Sequence, residues 1–331
     1  MGKRNQSLDA MKGFVILLVM IGHIINLNRF HDPYIYPLIE AVQMPAFFMI
    51  SGYISGMKTP IIGIVEWKNV ISKRAINYLL PFFTWLLLKQ WDDLIRGFTN
   101  TMIQLDRGLW FLMTLFIINV LLYTTQLLNK KCYFKSKSIG LVGFCTIFIL
   151  LTSGFVVQYI LGNPFLSPVL TIKYIPPFLF GYFLSVYKKE FQLLFKREIQ
   201  AVLFLVCVIM FFLLSLQRIE FTNPLFILLM SIIKGLIGSY VIFYIFTKSK
   251  ENLIKSKLAW IGRYTLEIYT VHFHFATKLN LGVLNFGLYS FSGFLFVLAT
   301  FITMSITSAA LIYMVKQNKV TNLLMFGRNK S

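Results

Sequence analysis

Long apolar runs recur along the whole of this chain, and most of them can cross a lipid bilayer. A membrane-spanning helix needs about 20 mostly apolar residues, and the run that begins LDAMKGFVILLVMIGH (8–23) is the first of them. Hydrophobic residues make up 57% of the chain and charged residues only 13%, whereas charged residues are about 25% of an ordinary soluble domain. The sequence therefore predicts an all-α integral membrane protein.

The apolar runs predict one polytopic domain, residues 1–331, built as a bundle of about ten transmembrane helices. Prolines interrupt the third run (Pro81) and the start of the sixth (Pro176 and Pro177), which favours bent helices there. The ten predicted spans are residues 11–28, 37–57, 75–91, 108–127, 139–161, 172–187, 199–216, 224–246, 260–280 and 289–315.

The charges of the chain predict its orientation in the membrane. The net charge is +20, and with ten spans 24 of the 32 Lys and Arg residues fall on the side of the two termini, against seven on the other side and Lys234 within a span. Cytoplasmic loops carry the excess of positive charge, so we expect both termini in the cytoplasm, with the first apolar run retained as a span. Attraction to anionic lipids then accounts for the basic character, and nucleic-acid binding is not expected.

The cysteines show no pattern of a functional site. Cys132, Cys145 and Cys207 have neither metal-ligand nor redox spacing, so we expect small buried side chains, no disulfide and no metal.

A lysine and a histidine share the first apolar run. Lys12 and His23 are eleven residues apart, which on a helix is about 16 Å and close to three full turns, so both side chains lie on nearly the same face. A neutral imidazole can act as a general base near pH 7, and a lysine at the inner mouth can hold a phosphate. The alternative is a topology-setting lysine with a histidine hydrogen-bonded between helices. Other ionisable residues at membrane depth, which are costly and often functional, are Glu40, Lys234, Glu267, His272 and His274.

Several motifs in one order resemble those of a known family. The first run is followed by MPAFFMISGY (44–53), SKRAINYLLPFF (72–83), GLWFLMTLF (108–116) and WIGRYTLEIYTVH (260–272). On about ten spans, this ordered set resembles the membrane-bound acyltransferase 3 family, in particular its sugar O-acetylase branch.

The resemblance implies an enzyme that takes an acyl group, usually acetyl, from cytoplasmic acyl-CoA and delivers it to a hydroxyl of an extracytoplasmic or lipid-linked glycan. It implies a bacterial cytoplasmic membrane, with membrane lipids, acyl-CoA and the glycan as partners. Lys12 and His23 match its first-span signature, with lysine where arginine is more common. His23 would be the general base or carry a transient acyl-imidazole, and Lys12, Lys73 and Arg74 would bind CoA phosphates. Gln43 and Asn77 stand where the family has a histidine and a second basic residue.

The remaining candidates each have two interpretations. Glu40 would orient the His23 imidazole as a carboxylate does in a catalytic dyad, and His272 matches a late histidine of the family and would contact substrate. Ser51 would either permit close helix packing or touch substrate. The other candidates for a sugar-binding mouth are Trp110 and Phe111, which also suit an aromatic belt, and the charged pair Asp106 and Arg107.

Other functions remain open at this point. A glycan or lipid transporter would show broken spans in inverted repeats, and none is visible here. A polysaccharide polymerase would have a large outer loop, whereas the longest one here, near 92–107, is short. Within the family, the acceptor could be a small molecule or a lipid. The sequence does not determine the acyl group, the acceptor or the oligomeric state.

Overall fold

The computed structural model describes residues 5–30, 32–105, 109–133, 136–194, 196–216, 222–279 and 287–328. Within these ranges the secondary structure is entirely helical. The helices are α1 (Gln6–Leu27), α2 (Ile35–Gly56), α3 (Ile64–Lys89), α4 (Leu94–Ile103), α5 (Trp110–Leu128), α6 (Lys130–Tyr133), α7 (Lys137–Ile160), α8 (Pro168–Val186), α9 (Lys188–Leu194), α10 (Arg197–Leu216), α11 (Pro224–Lys248), α12 (Leu253–Gly262), α13 (Thr265–Lys278), α14 (Phe291–Gln317) and α15 (Lys319–Phe326).

Eight of the described helices are long and apolar enough to cross a membrane: α1, α2, α5, α7, α8, α10, α11 and α14. The predicted integral membrane helical bundle is thereby confirmed. The number of ten spans and the cytoplasmic position of the termini stay predictions.

The third predicted span (75–91) lies in α3, which is longer than expected. The amphipathic segment before Arg74 and the apolar segment after it form one helix of 26 residues, and Pro81 lies inside it. The first half of α3 is polar and the second half is apolar. In the sequence, only the apolar second half is therefore recognised as a span.

The ninth predicted span (260–280) is divided between two shorter helices. α12 ends at Gly262 and α13 begins at Thr265, whose hydroxyl donates a 2.8 Å hydrogen bond to the Gly262 carbonyl. The 14 residues of α13 extend over about 21 Å, which is less than the roughly 30 Å of a bilayer core. The apolar run at 260–280 is therefore not one continuous helix.

The helices form two compact units. The first comprises Met1–Met57 and Pro176–Met314, and the second comprises Lys58–Ile175 and Val315–Ser331. In the first unit, α1 packs against α2, α11, α12 and α13. In the second, α3 packs against α5 and α15, and α5 packs against α7.

Burial differs sharply between these helices. Two thirds of the apolar window is buried in α1 and in α2 (67% each), against 17% in α7 and in α10. An apolar helix with little burial, such as α7 or α10, is expected to face lipid. The strongly buried α1, in contrast, forms part of the core of the first unit. Asn5 begins this helix by accepting a 3.2 Å hydrogen bond from the Leu8 amide, as N-cap residues do.

Candidate active site

α1 carries Lys12 and His23 without interruption, because the helix runs from Gln6 to Leu27. The predicted separation along the helix, about 16 Å on nearly one face, therefore applies in the structure. Lys12 lies in the second turn of α1 and His23 in its last turns, so one face of this helix has a cation at one end and an imidazole towards the other.

Glycines bring the neighbours of α1 very close on both sides of that face. A Cβ added to Gly13 would lie 1.9 Å from the carbonyl oxygen of Leu258 in α12, and one on Gly22 would lie 2.9 Å from Oε1 of Gln43 in α2. At 100° per residue around the axis of α1, Gly13 lies about 100° from Lys12 in one direction. Gly22 lies about 80° from Lys12 in the other direction. The face with Lys12 and His23 therefore lies between α12 and α2.

His272 of α13 lies beside His23. The two ring centroids are 5.3 Å apart at an interplanar angle of 35°, and the Phe273 ring meets His23 edge-on at 5.2 Å. His272 is fully buried and His23 is partly buried. Two residues that are 249 positions apart in the chain thus form one histidine pair.

A backbone contact fixes the tautomer of His272. Its Nδ1 is 2.7 Å from the carbonyl oxygen of Ile268, and since a carbonyl oxygen only accepts, Nδ1 carries the proton and donates it. In a neutral ring Nε2 is then an acceptor, and it is buried with no hydrogen-bond partner among the described residues. This nitrogen can accept a hydrogen bond from the other imidazole or from a substrate hydroxyl.

Lys12 forms an ion pair on its own helix. Its Nζ is 3.3 Å from Oδ1 of Asp9, and the Lys12 side chain is 24% exposed. The pair joins residues three positions apart, which are neighbours on one helix face. A partly exposed ammonium group that shares a carboxylate can still approach an anionic ligand.

Two further polar groups lie on the helices that carry this site. The amide Oε1 of Gln43 is buried against Gly22, beside His23 in the chain, and has no hydrogen-bond partner in the described part of the protein. The carboxylate-bearing side chain of Glu267 is fully buried on α13, five residues before His272. The family position at which Gln43 stands is thus next to the α1 face of interest.

Glu40 does not reach the site. It lies on an exposed position of α2 and makes no hydrogen bond to His23 within the described ranges; its electrostatic neighbour is Tyr36, one turn earlier. The expected role of Glu40 in orienting the imidazole therefore lacks the contact that it requires. The direction in which α2 turns its side chains, and not the depth of Glu40, decides this.

Arg74 occupies a second polar cluster, in the second unit. Its guanidinium donates hydrogen bonds to the hydroxyls of Tyr78 (3.0 Å) and Tyr123 (3.1 Å), and lies 5.7 Å and 5.9 Å from the centroids of those two rings. The two tyrosines hold the side chain in place and leave its positive charge without a carboxylate in the described residues. Such a fixed guanidinium suits a phosphate.

Lys58 belongs to the same cluster, together with Lys73. Partial desolvation by the surrounding protein, and the nearby charges of Arg74 and Lys73, lower the pKa of Lys58. Three cations that repel one another favour an anion between them. Lys73 itself is exposed on α3. Lys58, Tyr78 and Tyr123 were not predicted from the sequence. The spacing of Tyr78, four residues after Arg74 and hence on the same face of α3, could have predicted its contact.

The predicted sugar-binding residues are only partly accessible. Trp110 begins α5, and its ring stacks on Tyr174 at 5.1 Å, so one of its faces is covered. Phe111 is buried at 9% exposure, which favours packing over a place in an acceptor mouth. Asp106 and Arg107 lie outside the described residues.

Ser51 is half-buried beside a close helix crossing. A Cβ on the next residue, Gly52, would lie 1.9 Å from the carbonyl oxygen of Phe178, and one on Gly181 would lie 2.0 Å from that of Met49. This crossing of α2 and α8 favours the packing interpretation of Ser51, which begins the SGY motif (Ser51, Gly52 and Tyr53).

Comparisons with known proteins agree with the resemblance. Residues 5–314 match a family described as an acyltransferase domain, acyltransferase 3. The chain is 28% identical over 149 residues (38% of this chain and 39% of the relative) to nodulation protein NolL of Sinorhizobium fredii. It is 28% identical over 170 residues (45% and 43%) to nodulation protein NolL of Mesorhizobium japonicum.

The chain spans about two fifths of the length of these two curated relatives, and no solved structure matches it. The family match, in contrast, includes α1 to α13 and most of α14 and so contains both histidines of the pair. This protein belongs to the acyltransferase 3 family.

Proposed function

We propose that this protein is a transmembrane O-acyltransferase that moves an acetyl group from cytoplasmic acetyl-CoA, or another acyl group from its CoA thioester, to a hydroxyl of an extracytoplasmic or lipid-linked polysaccharide. The observation that carries the proposal is the pair of His23 and His272, 5.3 Å apart, at the far end of the α1 face that begins with Lys12. An imidazole at membrane depth with a second imidazole beside it supports proton transfer to and from a reacting hydroxyl.

In the proposed reaction, His23 takes the proton of the acceptor hydroxyl while the hydroxyl oxygen attacks the thioester carbonyl carbon. The carbon–sulfur bond then breaks, the imidazolium of His23 returns the proton to the departing sulfur, and CoA and the O-acyl product leave. Nδ1 of His272 donates to the Ile268 carbonyl, so Nε2 is left as an acceptor. During the reaction, Nε2 accepts a hydrogen bond from the His23 imidazole or from the acceptor hydroxyl. In the alternative course, the acyl group rests briefly on a His23 nitrogen before the hydroxyl attacks.

The donor would be held through its phosphates. In the first unit, Lys12 is a cation that suits a phosphate. In the second unit, the guanidinium of Arg74, held by two phenols beside Lys58 and Lys73, matches phosphate geometry. The half-exposed Trp110 ring suits a sugar face on the acceptor side. The proposed location is a bacterial cytoplasmic membrane with both termini in the cytoplasm.

A small-molecule or lipid acceptor is also possible within the family, and the names of the two relatives, nodulation proteins, do not separate these acceptors from a polysaccharide. A transporter or flippase without acyl transfer is the alternative of a different class. It predicts no consumption of acyl-CoA.

The test is transfer of radiolabel from acetyl-CoA in membranes that contain the chain, compared with His23→Ala at equal abundance. We expect label in the glycan fraction with the unchanged protein and a loss of about 100-fold or more with His23→Ala, the range for removal of a general base. Label that persists in the variant would show that His23 only packs. Acetyl-CoA that is consumed while label appears in a lipid or a small molecule would replace the polysaccharide as acceptor, and no transfer from any acyl-CoA would favour the transporter.

A further inference from the structure

A polar cavity lies at the N-terminal end of α1, within the first unit, away from the histidine pair. It has a volume of about 260 Å³, and its walls come from the start of α1, the last turn of α2, the end of α8, α9, α10 and the C-terminal half of α11. Five aromatic side chains line it: Tyr53, Phe191, Tyr240, Phe243 and Tyr244. A cavity of this size accommodates a ring system with its sugar and not a whole coenzyme.

One tyrosine of this wall has a buried hydroxyl without a hydrogen-bond partner in the described part of the chain. Tyr240 is 6% exposed, and its Oη has no hydrogen-bond partner among the described residues. A buried hydroxyl without a hydrogen bond is costly and calls for an explanation. A polar ligand inside the cavity would provide the missing hydrogen bond.

The polar side chains around the cavity are amides and cations. Gln192 and Gln200 line it together with Lys188, which begins α9, and Lys248, which ends α11 with its Nζ 5.8 Å from the Tyr244 ring centroid. No carboxylate is among its described lining residues. Amide side chains pair with the edge of an adenine, aromatic rings stack on its face, and lysines bind phosphate as point charges.

We propose that this cavity binds the adenosine and 3′-phosphate end of the donor acyl-CoA; the assignment rests on the proposed function. The base lies among the tyrosines with Tyr240 Oη bonded to it, and Lys188 and Lys248 hold the 3′-phosphate. Ser7 in the cavity wall and His23 are 16 residues apart on α1, about 24 Å. In CoA a long extended arm separates the adenosine from the thiol, so the two ends can occupy these two places.

The position is consistent with the rest of α1. Asn5 lines the cavity, and at 100° per residue it lies within about 20° of the face that carries Lys12. The tyrosine of the SGY motif, Tyr53, packs with Leu8 of α1 in one buried cluster. In this proposal, Tyr53 forms part of the wall of the nucleotide site.

The experiment measures binding to the purified full chain in detergent by titration calorimetry, with CoA, dephospho-CoA and adenosine 3′,5′-bisphosphate as probes. We expect CoA to bind about five- to tenfold more tightly than dephospho-CoA, which lacks the 3′-phosphate, as one partly exposed pair of charge contacts allows. In the double variant Lys188→Ala/Lys248→Ala this preference disappears, and CoA binds like dephospho-CoA. The matched control, Lys250→Ala/Lys257→Ala, removes two exposed lysines outside the cavity and keeps the preference.

Tyr240→Phe provides the second variant, since it keeps the ring and removes only the hydroxyl. It should weaken CoA and dephospho-CoA equally, by about fivefold, with an unchanged unfolding temperature. An unchanged CoA preference in the lysine double variant, or an adenine nucleotide that binds without displacing CoA, overturns the proposal and leaves CoA as donor intact. A wild-type chain that binds no CoA overturns both the cavity assignment and the donor, and label transfer from other donors then tests acyl transfer itself.

Discussion

At the scale of single residues, the contact between His23 and His272 has the most direct consequence for activity. His272→Asn keeps an amide that can donate to the Ile268 carbonyl in place of Nδ1–H but has no group in the position of Nε2. We expect kcat to fall by about 100-fold, as for loss of a proton-transfer partner, while KM for acetyl-CoA stays the same. Steady-state kinetics in proteoliposomes measure both values.

The control for this variant is His274→Asn, because His274 is two residues away on α13 and therefore on another side of that helix. A kcat of His272→Asn equal to that of the control would mean that the buried histidine serves only packing.

Arg74 supports a second prediction at the residue scale. Arg74→Lys keeps the charge but cannot donate to both Tyr78 and Tyr123 from one planar group, so the cation loses its fixed position. We expect KM for the acyl-CoA donor to rise about tenfold, the cost of a charged hydrogen bond, with little change in kcat. Lys68→Ala removes an exposed cation from the same helix and should change neither value; an equal effect of both variants would show that only the total charge matters.

At the scale of helices, glycines determine how closely α1 and α12 approach. Since a Cβ on Gly13 would lie 1.9 Å from the Leu258 carbonyl oxygen, Gly13→Ala forces the two backbones apart. We expect a loss of about 2 kcal/mol in the free energy of unfolding, as for overpacking, and a lower unfolding temperature in detergent.

Gly154→Ala in α7 is the matched substitution, because nothing lies within 4 Å of a Cβ placed there. Alanine favours a helix over glycine by up to about 1 kcal/mol, so this variant should be as stable as the original chain or slightly more stable. A Gly13→Ala chain with unchanged stability would contradict the close crossing of α1 and α12.

At the scale of the whole molecule, the distribution of charge predicts the topology. In a chain with Cys132, Cys145 and Cys207 replaced by alanine, Asn163→Cys follows α7, on the side opposite the termini, and Lys250→Cys follows α11, on the same side as the termini. We expect a membrane-impermeant maleimide to label the first cysteine in intact cells and the second only after permeabilisation. Labelling of both in intact cells would contradict the predicted orientation of this half of the bundle.

The sequence determined the features that depend on local chemistry. Apolar runs of membrane length predicted the helical bundle, and the period of an α-helix placed Lys12 and His23 on one face. The ordered motifs predicted the family, because each of them keeps its residue types within a single helix or turn.

Only the tertiary structure decided which faces of the helices meet. In a bilayer, a face that touches lipid and a face that packs on another helix are both apolar, so the hydrophobic pattern that orients a soluble helix is weak. For this reason the sequence placed Glu40 beside His23, whereas the fold turns Glu40 outwards and brings His272 to that place from 249 residues away. The hydrogen bond between Arg74 and Tyr123 and the cavity at the N-terminal end of α1 likewise exist only because helices that are distant in the sequence pack together.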